Sequence, residues 1–301
     1  VVETTLGPRL RGDDERGGGR VVSRRVREWQ WIGLLLLAPA LALIALLFML
    51  PLGISIVTAF EAPGGGFTLA HFAKAWDFYH TDFWFTIGLT LLSTALIALG
   101  SIAIAGYLTL GENPAAQAVL RWLYRWPLFI PFIVTAQVMR GFLAKNGLMN
   151  HALIATGLIE PLQAQSFLDW RGIVIAFVWK QTPFVALMLA GAMASLDAST
   201  IEAARNLGAR RLRTLIEIVL PQVMPSLLVG LILSFVTMLS VLSVPIMLSG
   251  DSPTMLTVDI AYRINSHRDY GVANALGTIS CVMAGLVAWF YLRQGVAQAR
   301  A

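Results

Sequence analysis

"IEAARNLGARRLRTLIEIVLP", residues 201–221, is the most charged continuous stretch in the second half of this chain, yet long uncharged apolar runs flank it on both sides. Its local chemistry reads as helix, turn, helix. Asp197 or Ser199 can cap a first helix, and Glu202 falls in its opening turns, where negative charge suits the helix dipole. Ala203 and Ala204 make a small surface for close approach. Gly208 permits the sharp change of direction of a glycine-ended helix. In "RRLRTLIEIVL", Leu212, Leu215, Ile216 and Val219 recur at three- and four-residue spacing, which predicts a second helix lying amphipathically along a membrane surface. Pro221 is then expected to break that helix. By this chemistry the segment suits a basic interfacial helix that holds the chain's orientation as well as it suits a docking element.

Working outward, 57% of the 301 residues are hydrophobic and only 13% charged, against about 25% charged in a soluble globular domain. The composition is that of an all-α integral membrane protein. A net charge of +5 raises nucleic acid as a partner, but the basic residues border apolar runs, the pattern of topology control. Uncharged runs long enough for a spanning helix of about 20 residues occupy 31–60, 83–111, 218–250 and 270–292. Two further spans, about 123–143 and 172–194, are interrupted by the single basic residues Arg140 and Lys180. Six transmembrane helices are predicted. Residues 1–30 form a Gly-rich, charged tail with little to bury, expected to be disordered, and 293–301 a second short tail. The pair Arg24-Arg25 hints at an export signal, but Arg27 stands where such signals turn apolar. The run that follows is about twice a signal-peptide core in length, so an uncleaved first span is the better reading. Cys281 is the single cysteine and cannot form an internal disulfide.

With the N-terminus inside, 15 Lys and Arg residues fall in the tails and the loops at 112–125 and 195–217, against 5 in the opposite loops. That asymmetry predicts a multi-pass protein of a bacterial cytoplasmic (inner) membrane with both termini cytoplasmic. The 201–221 stretch is then cytoplasmic, between the fourth and fifth spans.

Glu202-Ala203-Ala204, three residues, Gly208, nine residues, Ile218, one residue, Leu220-Pro221 resembles, position for position, the EAA-x3-G-x9-I-x-LP signature of permease subunits in binding-protein-dependent ABC importers of the type I, MetI-like fold. The resemblance extends over most of residues 80–290. "WPLFIPFIVTAQVMRGFLAKNGLMNHALIATGL" (126–158) looks like that family's third span and following outer loop, with Gly147 and Asn150 in "NGLxN". "WKQTPFVALMLAGAMASLDAST" (179–200) looks like the fourth span leading into the EAA loop. The resemblance implies a permease core at 83–292 with a coupling loop at 195–222. In that loop a coupling helix docks in a groove of a separate ATPase subunit. Glu202 would contact the ATPase, Ala203 and Ala204 would pack against it, and Gly208 would turn the chain. Arg205, Arg210 and Arg211 would meet either acidic ATPase residues or anionic lipid headgroups. The implied partners are an ATPase dimer, a second permease subunit of the same or another kind, an extracytoplasmic solute-binding protein received by the loops 61–82 and 144–171, and membrane lipid. No phosphate-cradling G-x-x-x-x-G-K-[ST] loop occurs in the sequence, so ATP and Mg are assigned to the partner ATPase. This chain is read as non-catalytic and without a cofactor of its own.

Sugar permeases of this superfamily usually carry an aspartate before the glycine of the loop; here Leu207 stands there. "NLGA", "VLSVPIMLSG" (241–250) and "DYGVANALG" (269–277) are similar to spermidine/putrescine-type permeases, a branch that also moves iron, thiamine and phosphonates. The solute expected is a polyamine or another small charged molecule, with a sugar or polyol as the alternative. Charged residues inside spans are costly and tend to face cavities. Lys180 and Gln181, followed by the helix-disrupting Pro183, are candidates for the translocation path. Arg140 and Gln137, nearly one turn apart, are a second pair, with snorkelling to the interface the competing reading of Arg140. Both basic residues suit an anion better than a polyamine. His71, His80, His151 and His267 are expected in outer loops, in no spacing that suggests a metal site. Two other classes are weighed. A membrane-embedded enzyme needs a cluster of catalytic side chains near the surface. A secondary transporter needs internal repeats and mid-membrane ion sites. Neither pattern is visible.

Overall fold

A computed structural model of the chain describes residues 36–62, 64–250 and 252–298. The predicted tail at 1–30, the start of the first predicted span and residues 299–301 lie outside the described residues. The chain divides into two compact units, Val1–Val57 and Thr58–Ala301. The first contributes most of helix α1, Leu36–Ala59. The second carries α2 (Ala70–Leu110), α3 (Pro114–Leu123), α4 (Phe132–Leu143), α5 (Leu148–Ala155), α6 (Trp170–Ala194) and α7 (Ala198–Asn206). It continues with α8 (Arg211–Ser240), α9 (Ser243–Leu248), α10 (Leu256–Tyr262) and α11 (Tyr270–Gln298). Among the described residues five helices are long and apolar enough to span a membrane. A sixth span results if the bent pair Pro114–Phe129 and Phe132–Ala155 counts as one.

Several expectations are corrected. The second span begins at Ala70 rather than 83, because its polar first turns are satisfied in place. Lys74 pairs with Asp269 (2.7 Å), the His71 ring meets the Glu61 carbonyl (3.0 Å), and Asp82 accepts the Thr254 N–H (2.6 Å). With 41 residues, α2 is about 60 Å long, well beyond the ~30 Å hydrocarbon core. The histidines are accordingly not loop residues: His71 and His80 lie on α2, His151 on α5, and His267 in the wide turn Arg263–His267.

The third span, expected at about 123–143, is not one helix. It breaks through a tight turn at Trp126–Phe129, and its halves bend by 108°. Pro127 and Pro131 are the cause: Pro131 has no N–H for the Pro127 carbonyl four residues back. Lys180 Nζ donates from α6 to the carbonyls of Pro127 (2.6 Å), which also accepts the Ile130 N–H (3.3 Å), and of Leu128 (3.2 Å).

A further correction concerns Pro221, which does not break a helix. α8 runs unbroken from Arg211 to Ser240 because its bonding widens over Leu215–Val219, where Leu220 N–H donates to the Leu215 carbonyl. Pro221 thereby enters where an intrahelical donor is not demanded. The 211–219 segment is the base of a span, with Val219 fully buried and Leu212 and Ile216 outside. The span itself ends at Ser240 rather than running to 250, and the last helix continues through 293–298 into the predicted tail.

The core lies where α2, α6 and α8 meet, around Ile97, Phe177, Leu189, Met193 and Met238. α2 and α6 run parallel, with Ser101 bonded to the Thr182 carbonyl (3.2 Å) and Thr109 to Met193 (3.5 Å). α8 runs antiparallel to both, bringing Gly230 against Val185 and Leu215 against Gly106. The "NGLxN" motif has a local reason. A Cβ on Gly147 would lie 2.5–2.8 Å from the carbonyls of Gly141, Phe142 and Ala144. Buried Asn150 donates to the carbonyls of Ala144, Lys145 and Gln165 (2.8–3.2 Å).

Candidate functional site

At the end of α6 the chain leaves the bundle and forms α7. Asp197 caps it, Oδ1 accepting from Ser199 N–H (2.9 Å) and Oδ2 from the Ser199 hydroxyl (2.6 Å). These bonds, that from the hydroxyl first, hold the Asp197 carboxyl below the usual carboxylate range. At the other end Gly208 takes φ +80°. Its N–H donates to the Arg205 carbonyl (2.9 Å) while Ala209 N–H reaches that of Ala204 (3.0 Å). This pair of bonds is the Schellman arrangement, in which glycine is favoured for its freedom at positive φ. The helix is therefore bounded at both ends by its own sequence.

Its two faces differ. Ala204 is buried and Ile201 packs against the main core. Glu202, Ala203, Arg205 and Asn206 face outward, and Leu207 at the tip is 88% exposed. Among the described residues no side-chain hydrogen bond or ion pair engages Glu202 or Arg205. The adjacent alanines thus part company, Ala204 seating the helix on the bundle and Ala203 lying on the open side. Arg211 is engaged within the chain, in an ion pair with Glu112 just past α2. Arg213 pairs with Glu217 (2.8 Å), and Arg210 is the residue before α8 with its side chain exposed. Ile218 and Leu220 are half-buried at the base of α8, and Pro221 is exposed there. The whole 201–221 signature therefore forms one exposed helix plus the foot of a core helix.

The residues named for a translocation path fall into two groups that do not meet. Lys180 and Gln181 are buried, 8% and 6% exposed. Lys180 is bound to the broken span and lies 5.4 Å from the Phe132 ring, and Gln181 points to the Ser234 carbonyl (3.5 Å). Gln137 and Arg140 share the exposed face of α4. Sequence reasoning missed a charged network at the far end of α2, where Arg263 donates to Tyr79 Oη (2.5 Å) and, with Lys74, pairs with Asp269. Its members lie too far apart in sequence to leave a local signal. Among the described residues no cluster of three metal-ligating side chains occurs.

The family described as "Binding-protein-dependent transport system inner membrane component" matches residues 99–296. The sulfoquinovosyl glycerol transport system permease protein of Agrobacterium fabrum is 27% identical, covering 93% of this chain and 97% of its own length. The spermidine/putrescine transport system permease protein of Salmonella typhimurium is 26% identical over 75% of this chain and 79% of its own. Among solved structures, a bacterial alginate ABC transporter in complex with an alginate pentasaccharide-bound periplasmic protein aligns with a TM-score of 0.75 at 21% identity, over 90% of this chain and 96% of that one. That likeness establishes the shared fold.

Proposed function

The chain belongs to the family of binding-protein-dependent transport system inner membrane components, and from that premise we propose that α7 is the element through which it couples to a separate ATPase. The observation that carries this reading is the outward row Glu202, Ala203 and Arg205 on a helix fixed at both ends, beside buried Ala204. A short rigid helix with a charged outer face and a seated inner face can transmit a push from a partner into α6 and α8, the helices it joins. In this reading ATP and Mg stay on the ATPase dimer, a second permease subunit completes the path, and a binding protein delivers solute to the end remote from α7. In this reading both termini and α7 are cytoplasmic, as the asymmetry of Lys and Arg predicts.

For the solute, an anionic or sugar-linked small molecule is the better match. Arg140 is exposed on α4 without an ion pair among the described residues, and positive charge along a path favours an anion. The relative that covers 93% of this chain is named for a sulfoquinovosyl glycerol. A polyamine is the second reading, favoured by Leu207 before Gly208 and by the spermidine/putrescine relative.

The test is reconstitution with the genomically adjacent ATPase and binding protein in nanodiscs. Glu202→Lys is expected to lower ligand-stimulated ATP hydrolysis at least about 10-fold, as a lost charged contact of about 1.5–3 kcal/mol implies, with the chain still inserted. Hydrolysis at the native level would sink the coupling role of α7. Thermal shift of the binding protein with acidic sugars and with polyamines separates the two solute readings.

A further inference from the structure

At the end of the bundle remote from α7, two buried carboxylates are bridged by a single residue. Asp82 on α2 and Asp259 on α10 are 7% and 9% exposed. Thr254 joins them, its N–H donating to Asp82 Oδ1 (2.6 Å) and its hydroxyl to Asp259 Oδ1 (3.2 Å). The same stretch is tied to α2 again by Leu256 N–H to Thr86 Oγ1 (3.0 Å), while the Thr86 hydroxyl donates to the Asp82 carbonyl (2.7 Å).

The cations nearby are committed elsewhere. From its own segment, Arg263 turns to Tyr79 of α2 and to Asp269 ahead of α11, and Lys74 of α2 also takes Asp269. Among the described residues no ion pair reaches Asp82 or Asp259. Asp259 Oδ2 is fully buried and has no hydrogen-bond partner among the described residues. An ionised carboxylate oxygen in that position has lost its water and gained nothing to accept from, whereas a protonated carboxyl carries no charge to desolvate.

We propose that the Asp259 carboxyl, set beside the charge of Asp82, is a proton-binding site, and that its proton fastens the 254–262 segment to α2. Burial first, and the charge of Asp82 next, push the Asp259 carboxyl up to about 7, with the Thr254 bond and Arg263 pulling the other way. The chain just before Thr254 also lines a cavity: Ser249, Ser252 and Pro253, with Phe85, Leu89 and Trp170, bound a space of about 510 Å³. Charge at the site therefore bears on how firmly that wall is held. Asp82 stands roughly 40 Å along α2 from its Leu110 end at 1.5 Å per residue. In the orientation proposed above this is the extracytoplasmic end, where ambient pH varies; the proton site itself does not depend on that orientation.

The sign follows from linkage. The folded-state value lies above the ~3.9 of an unfolded aspartate, so between about pH 4 and about 7 the folded chain binds the extra proton. Stability of the segment is full below about pH 4, declines as pH rises, and is at its floor above about 7. The experiment is hydrogen exchange of peptides covering 252–262, with the full chain in nanodiscs, at pH 5 and pH 8 after correction for intrinsic rates. Peptides of α6 serve as the internal control. Native protein is expected to show at least about 10-fold greater protection at pH 5, the equivalent of one pKa unit. Asp259→Asn should protect at pH 8 as native protein does at pH 5, and lose the dependence. Asp82→Asn should move the native midpoint down by about one unit as the like charge disappears. His71 and His267 at the same end are untouched in both variants. A pH dependence that survives Asp259→Asn, protection lost at both pH values in that variant, or a midpoint unmoved by Asp82→Asn would each overturn the proposal.

Discussion

Lys180 shows how a single side chain can hold a fold that its own helix does not need. Its ammonium answers the two carbonyls released by the Pro127–Pro131 break. Lys180→Met is expected to cost about 1–3 kcal/mol, the cost of removing a charged donor from two carbonyls of which only that of Pro127 has a second partner, the Ile130 N–H, and to lower the unfolding midpoint of the chain in nanodiscs. Lys180→Gln, which keeps a donor, should lose less. A Lys180→Met variant of native midpoint would remove this tie from the description. Gly147 is the converse case, a residue required for what it lacks. Backbone carbonyls at 2.5–2.8 Å from its absent Cβ do not give way as a flexible side chain does. Gly147→Ala should therefore destabilise by about 1–3 kcal/mol, as overpacking does, read from the same midpoint.

At the scale of elements, α7 is specified locally and α8 is not. Gly208→Val places a β-branched residue at φ +80°, a strain of about 1–2 kcal/mol confined to one turn. It should weaken ATPase binding in a pull-down while leaving the unfolding midpoint of the bundle nearly unchanged. A full loss of folding would mean that α7 is part of the core rather than an appendage to it. α8 takes in a segment whose charge, periodicity and proline all favour a separate surface helix. Burial of Thr214 and Val219, and the Glu112–Arg211 pair, draw that segment onto the end of α2. Its wide turn at Leu215–Val219 accommodates the proline that sequence reasoning takes as a stop.

At the scale of the whole molecule, the direction of α2, parallel to α6 and antiparallel to α8, places α7 and the Asp82–Asp259 site at opposite ends of the second unit. The proposed orientation makes a labelling prediction. In a Cys281→Ser background, a cysteine at Leu207 should react with an impermeant maleimide only after the membrane is opened. One at Gly65 should react in intact cells, and the reverse pattern would invert the topology. The sequence by itself determined the all-α class, the spans near 172–194 and 270–292, the glycine end of α7 and the family signature, because each depends on composition or on contacts within about five residues. Tertiary structure alone decided the early start of α2, the destination of Lys180, the inward and outward division of Ala204 and Ala203, and the pairing of Asp82 with Asp259. Each of these rests on a donor, acceptor or charge supplied by an element distant in sequence, and a polar group's cost is set by the partner that folding brings to it.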